Sequence, residues 1–153
     1  MSYMIRKAEK ERLLQADRTS LQWKCYAALK DRVSKNTARD SLLQPEDTQE
    51  WYHLCWERIS DASFAYHMEP EERLGTWLHA RVMEIAEKSP EEWIGPWYRR
   101  RCPIPEGYLE TAHITLAVCE AVENCPSLFS TEERNACLES IREKGMLPCM
   151  RFC

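Results

Sequence analysis

Residues 109–122, LETAHITLAVCEAV, are apolar around almost the whole circumference of a helix, and the rest of the chain is interpreted from them. A helix of this kind must be covered by other elements over most of its surface. The stretch therefore predicts an interior helix within an array of further helices. It is interrupted by only five polar residues, namely Glu110, Thr111, His113, Thr115 and Glu120.

The segments before this stretch carry apolar stripes at helical spacing. Residues 4–15 and 20–35 are predicted to be helices, followed by a polar loop at 35–44. Pro45 and Pro70 are each predicted to open a helix, because proline is tolerated at the first helical position. The predicted inward faces are Leu21, Cys25, Ala28, Leu29 and Arg32; then Trp51, Leu54, Cys55, Ile59, Ala62, Ala65 and Tyr66; then Leu74, Trp77, Leu78, Val82, Ile85 and Ala86.

Two capping boxes mark further helix starts. In Ser89–Glu92 and in Ser130–Glu133 a serine precedes a glutamate by three residues, so that each side chain can accept from the other's backbone N–H. The first box predicts a short helical turn, and the second a helix that ends near Gly145. Pro148 permits one more helix start. Residues 94–107, with three Pro and two Gly, are predicted to be irregular, and such long loops often carry function.

The composition indicates one all-α domain spanning residues 1–153. Only four residues are Gly, too few for the tight turns of a barrel or sandwich. The net charge is −4 and the longest basic run is Arg99–Arg101, so we expect no nucleic-acid partner. No apolar run approaches the roughly 20 residues of a membrane span, so we expect no membrane partner. The N-terminus shows no secretory signal, which predicts a cytoplasmic protein; the alternative is export directed by a signal outside this sequence.

The eight cysteines include no CxxC pair, and most of them fall within helical patterns. A zinc site normally presents paired ligands at short spacing. We therefore interpret the cysteines as small buried hydrophobes and predict no metal, no disulfide framework and no cofactor.

Four segments, taken in order, resemble the N-terminal helical region of the heparinase II/III-like proteins. They are ISDASFAYHMEPEERLGTWLHARVMEIAE at 59–87, SPEEWIGPW at 89–97, YLETAHITLAV at 108–118 and LFSTEERNACLESIREKGMLP at 128–148. Their order and spacing carry the resemblance, which covers about residues 50–148. The sequence divides accordingly into N-terminal helices at 1–45 and a family-like region at 46–153.

The resemblance implies antiparallel helical hairpins that form part of an α/α toroid, with residues 109–122 as an inner helix. The family's chemistry is β-elimination of uronic-acid polysaccharides, in which a Tyr or His base removes the proton α to the carboxylate. The residues that carry this step in the family lie further along the chain than this sequence runs. We therefore assign no catalytic residue and expect a catalytically incomplete region, either missing its C-terminal part or completed by homo-oligomerisation.

Residues 93–101 supply the best candidates for contact with a sugar. Aromatic faces stack on sugar rings, and guanidinium groups pair with carboxylates in a bidentate geometry. The alternative is a solvated loop whose aromatic residues seal the helix ends. The candidate residues are Trp93, Trp97, Tyr98, Arg99, Arg100 and Arg101.

Glu110 and His113 form an E-x-x-H pair on one helical face. Di-iron bundles use such pairs, but they need a second copy that this sequence lacks. The pair is predicted either to line the interior of the ring as part of the substrate-binding surface or to form a hydrogen bond within the core.

Three functions are compatible with these patterns. The first is one wall of a groove for an acidic oligosaccharide. The second is a stand-alone helical interaction module whose partner, or a second copy, covers the apolar surface of the interior helix. The third is a cytoplasmic enzyme whose site is assembled between subunits.

Overall fold

Every regular element of the computed structural model, which describes residues 5–38, 48–101 and 106–150, is helical. The predicted all-α class is confirmed. None of the described helices is long and apolar enough to cross a membrane. The helices are α1 (Lys7–Leu14), α2 (Leu21–Thr37), α3 (Gln49–Met68), α4 (Glu72–Glu87), α5 (Pro96–Arg101), α6 (Leu109–Asn124), α7 (Thr131–Ser140) and α8 (Leu147–Met150), with 3₁₀ turns at Glu91–Trp93 and Pro126–Leu128 and a π-helical segment at Ile141–Met146.

Serine and threonine side chains begin several of these helices. Ser20 and Thr48 each accept a hydrogen bond from the backbone N–H three residues further on. Both predicted capping boxes are confirmed. At Ser130–Glu133 the two reciprocal bonds measure 3.1 and 2.8 Å, and at Ser89–Glu92 they measure 3.4 and 2.8 Å.

The predicted inward face of α2 is wrong. Leu21 is 74% exposed, whereas Tyr26 and Val33 are buried. The Tyr26 hydroxyl donates to Glu69 at the end of α3, which ties the buried face of α2 to that end. The predicted helix start at Pro45 lies outside the described residues, and α3 begins at Gln49.

The long middle of the chain forms two helical hairpins, α3–α4 and α6–α7, which stack side by side. Contacts between α3 and α6 advance together along both helices, from Gln49 with Glu110 to Ser60 with Glu120. The same is true of α4 and α7, whose contacts run from His79 with Glu133 to Ala86 with Ser140. Equivalent helices therefore run parallel, while each hairpin is antiparallel within itself.

The shared core lies where α3, α4 and α6 meet. The predicted stripe on α4 is confirmed, since all six of its residues are buried. Helix α6 is covered by α3, α4, α7 and the π-helical segment, and nine of its sixteen residues are buried. Leu109 and Leu116 are exposed, so the interior helix predicted from the sequence has one bare flank.

The helix that begins at the second capping box does not end near Gly145. It passes through the π-helical segment and continues to Met150. Gly145 is buried against α6, and a Cβ at this position would lie 2.9 Å from Thr115 Cγ2. This glycine therefore serves close helix packing rather than helix termination.

Candidate functional site

Residues 94–107 were predicted to be irregular, but they include α5. Pro96 lies in its first turn, where the missing N–H leaves no hydrogen bond unmade. The Gly95 carbonyl accepts from the N–H groups of Tyr98 and Arg99 at 3.0 and 3.1 Å. This short helix places arginines in its last turn, where positive charge is favoured by the helix dipole.

An exposed aromatic–cation pair lies on α5. The Arg101 guanidinium carbon is 4.1 Å from the centre of the Trp97 ring, and Trp97 is 42% exposed. This distance is well within the range of a cation–π interaction. The pair holds a guanidinium in a defined position at the protein surface.

The same pair lines a shallow pocket of about 290 Å³. Its wall combines one indole ring, two guanidinium groups and one side-chain amide. We call this the α5 pocket, and it is lined by Gln49, Pro96, Trp97, Arg100 and Arg101.

Tyr98 supports this surface rather than presenting a free ring face. Its ring stacks on Tyr108 with centroids 3.6 Å apart and an interplanar angle of 9°. Its other neighbour is Trp97, which it meets edge to face at 4.7 Å. The three rings therefore tie α5 to the residue that precedes α6.

Trp93 is not a sugar-contacting residue, contrary to the prediction. Its side chain is fully buried and its Nε1–H donates to the Ile85 carbonyl oxygen at 3.0 Å. It belongs to the shared core. Arg99 is half-buried, whereas Arg100 is exposed.

Glu110 lies beneath the α5 pocket. It is buried, and its Oε1 accepts from the Gln49 side-chain amide at 2.8 Å. Its Oε2 has no hydrogen-bond partner among the described residues. Gly95 permits this position, because a Cβ there would lie 2.9 Å from Glu110 Cδ. The buried carboxylate thus anchors Gln49, which in turn lines the pocket.

His113 has a different set of neighbours from Glu110. Its ring stacks on Trp56, with an interplanar angle of 3° and centroids 5.2 Å apart, and His53 lies equally close. Burial lowers the pKa of His113, and the neighbouring His53 lowers it further, while Glu110 opposes both. The imidazole is therefore held more firmly in its neutral form than an exposed histidine.

Sequence reasoning missed the residues that α3 contributes to this region, namely Gln49, His53 and Trp56. None of these three residues was singled out from the sequence as a candidate site residue. Helical spacing shows which side of α3 these residues share, but it does not show which helix lies against them. The parallel stacking of α3 on α6 brings them within contact of residues about 60 positions later in the chain.

Two of the buried cysteines are held in their protonated form. Burial raises the pKa of the Cys125 thiol to about 12 and that of Cys137 to about 11, so both thiols stay protonated at neutral pH. No group of three His, Cys, Asp or Glu side chains comes together as metal ligands in the described part of the chain.

Gln49 joins the α5 pocket to the buried Glu110 carboxylate, whereas His113 lies against His53 and Trp56. No protein-family model, curated protein or solved structure matches this chain. Its function therefore has to be inferred from the chemistry of these residues.

Proposed function

We propose that the α5 pocket binds a carboxylate-bearing sugar unit of an acidic oligosaccharide, as one wall of a binding groove. The observation that carries this proposal is the Arg101 guanidinium held over the exposed Trp97 ring, with Arg100 and Gln49 beside it. The chain would act as a binding region and not as a complete enzyme.

The chemistry of the pocket suits such a ligand. A sugar ring offers an apolar face to an indole, and its carboxylate offers two oxygens to the fork of an arginine. The Gln49 amide gives one N–H to Glu110, and its carbonyl oxygen can accept from a sugar hydroxyl. A pocket of about 290 Å³ is small for a ligand site and suits one sugar unit rather than a long segment.

The stacked hairpins are compatible with the wider resemblance to heparinase II/III-like proteins. Two antiparallel hairpins whose equivalent helices run parallel form the repeating arrangement expected of a toroid segment. On this proposal the chain contributes part of such an array, and the elimination chemistry of that group would need residues not assigned here.

The proposal is tested by isothermal titration calorimetry with uronate oligosaccharides, using neutral oligosaccharides of the same length as the ligand control. We expect binding only for the acidic series, weakened by added salt. Arg100→Ala should weaken binding about tenfold or more, because a hydrogen bond to a charged group contributes about 1.5–3 kcal/mol. Trp97→Ala should also weaken binding, because it removes the ring that stacks on the sugar and holds Arg101.

The chain offers a matched control for these variants. Arg18 lies over the Trp23 ring at 3.4 Å, which is the same type of pair in a part of the chain remote in sequence. Arg18→Ala and Trp23→Ala should leave the affinity unchanged. An absence of heat with every uronate oligomer, or equal losses in both sets of variants, would contradict the proposal.

A further inference from the structure

Helices α1 and α2, together with the residues that join them, bury far fewer side chains than the two hairpins do. We call residues 5–38 the N-terminal arm. Only Tyr26 and Val33 of the arm are buried, whereas α3 buries eight residues, α4 seven and α6 nine. Because burial of apolar surface is the main favourable contribution to packing, the arm must be attached to the hairpins largely by other contacts.

The apolar contact of α2 with the first hairpin is also incomplete. A partly open cavity of about 430 Å³ lies between α2 and the turn that joins α3 to α4, and its wall includes Val33, Ala65 and Leu74. Folded interiors leave few voids larger than a water molecule, because the atoms around a void lose dispersion contacts. Close packing therefore does not fix α2 at this point.

Two carboxylates of the first hairpin make charged contacts with the arm. The Arg32 guanidinium binds Asp61 of α3 through two bonds, Nε to Oδ2 at 2.5 Å and Nη2 to Oδ1 at 2.8 Å. The Asp61 side chain is only 12% exposed. Glu69, which follows α3, accepts from the Tyr26 hydroxyl at 2.6 Å and from the Lys30 ammonium at 2.8 Å. Bidentate and charge-assisted bonds of this kind are stronger than neutral ones.

We propose that the N-terminal arm is a strap that the carboxylates of Asp61 and Glu69 hold against the first hairpin, and that it releases as one unit while both hairpins stay folded. A segment with few buried side chains opens at a lower free energy than the core does. Removing the charge of either carboxylate therefore weakens the attachment of the arm and leaves the apolar core shared by the hairpins unchanged.

Release uncovers an apolar surface of the first hairpin. The Phe64 ring of α3 meets Tyr26 edge to face, with centroids 6.3 Å apart. Ala65 and Leu74 are buried with the arm in place, and both line the cavity beside Val33. Opening the strap exposes these side chains of the hairpin together, so the arm controls access to this surface. This inference does not depend on the proposed sugar site.

The inference is tested by hydrogen exchange of the full chain, followed by mass spectrometry of peptides from α2 and α6 under reducing conditions. In the wild type the amides of α2 should exchange at least about a hundredfold faster than those of α6. Asp61→Asn should speed the exchange of α2 about tenfold further, because it removes the charge that the Arg32 fork binds. Glu69→Gln should speed it about threefold, since that ion pair is more exposed.

Asp31→Asn supplies the matched control. Asp31 pairs with Lys35 at 2.6 Å within α2 itself, so it does not link the arm to the hairpin. This variant should change the exchange of α2 by at most about twofold. Added salt should act in the same direction as Asp61→Asn, because it screens the ion pairs of the strap.

Circular dichroism establishes that each variant stays helical. Three results would overturn the proposal. The first is exchange of α2 as slow as that of α6, which would mean that the arm opens only when the whole protein unfolds. The second is equal acceleration by Asp61→Asn and Asp31→Asn. The third is an acceleration of α6 together with α2 in Asp61→Asn, which would place Asp61 in the stability of the hairpins rather than in the attachment of the arm.

Discussion

In each of the two hairpins a glycine packs closely against a neighbouring helix, but the side chain that it contacts differs. In the first, Gly75 of α4 faces Tyr66 of α3, and a Cβ there would lie 2.8 Å from the Tyr66 ring and 3.0 Å from a Leu128 methyl. In the second, Gly145 faces Thr115 of α6, and a Cβ at Gly145 would lie 3.2 Å from the Thr115 Cβ. A long ring or a methyl at the end of a side chain can move aside, but a β-branched side chain close to its own helix cannot.

The two hairpins also differ in helix type. Helix α4 remains regular throughout, whereas the helix that follows α7 widens into a π turn where it passes α6. A π turn changes the angular position of every later residue relative to a regular helix. The close contact between Gly145 and Thr115 therefore coincides with a change of helix type that the first hairpin does not show.

The largest expected effect tests whether the two hairpins share one core. Ile114 of α6 is fully buried in the same apolar cluster as Ile59 of α3. Ile114→Ala should destabilise the protein by about 2–5 kcal/mol, because it leaves a cavity at the junction. Urea unfolding followed by circular dichroism and by tryptophan fluorescence measures this loss.

Leu116, two residues away and 43% exposed, provides the control for Ile114. Leu116→Ala should cost well under about 1 kcal/mol, because surface substitutions have small effects. The two probes should report a single transition. Two separate transitions, with only one moved by Ile114→Ala, would show that the hairpins are independent.

The next effect distinguishes the two glycines directly. Replacing glycine by alanine within a helix stabilises the helix by about 1 kcal/mol, whereas overpacking destabilises the fold by about 1–3 kcal/mol. Gly145→Ala should therefore destabilise the fold on balance, because Thr115 cannot move away. Gly75→Ala should lie near zero, because Tyr66 and Leu128 can adjust.

The contact that causes this difference can be removed. Thr115→Ala deletes the hydroxyl and methyl nearest to Gly145. In the double variant Gly145→Ala should cost clearly less than it does alone, as seen in denaturant midpoints arranged as a double-mutant cycle. Equal penalties for the two glycine variants would remove the proposed distinction between the hairpins.

These contacts also show where sequence reasoning reaches its limit. The capping boxes and the stripe on α4 were predictable because they depend on residues three or four positions apart. Gly145 was interpreted as the end of a helix, since a glycine after a periodic stretch usually is one. Its actual role depends on Thr115, thirty positions earlier, which local pattern cannot reveal.

The residues of the candidate site were likewise predictable from the sequence only in part. Trp97, Arg100 and Arg101 were recognised because aromatic residues and arginines are adjacent in the sequence, and the structure gathers them around the α5 pocket. Trp93 belongs to the same run, yet the core encloses it. Gln49 was not recognised, because its role arises only from the packing of α3 against α6.

A smaller effect concerns how the second helix of each hairpin begins. Ser130 caps α7 through a reciprocal box, whereas Glu71, at the equivalent position before α4, makes no capping hydrogen bond with its side chain. Ser130→Ala should cost about 1 kcal/mol. Glu71→Ser should stabilise the fold by several tenths of a kcal/mol, because it adds a cap that α4 lacks.

Thermal unfolding of both cap variants measures this pair of opposite changes. Ser127→Ala, at an exposed serine just before α7 that caps no helix, supplies the control for loss of a hydroxyl. The same direction of change for Ser130→Ala and Glu71→Ser would contradict the assignment of the two caps.

The smallest effect is a dependence of stability on pH where α3 and α6, the first helices of the two hairpins, pack against each other. Burial lowers the pKa of His113 below its ordinary value of 6.5, so the folded protein binds this proton less readily than the unfolded chain does. The contribution of this group to stability is therefore complete above pH 6.5 and is lost as the pH falls from there towards the lower pKa of the folded state. His53 and Glu110 are the titratable groups that face the ring, and Glu110 limits the effect because its charge opposes the shift.

His113→Gln should therefore lose less stability than the wild type when urea midpoints are compared between about pH 8 and about pH 5. Both proteins retain all the other titrating groups, so an equal fall in the two midpoints would mean that the ring stacked on Trp56 is as easily protonated when folded as when unfolded.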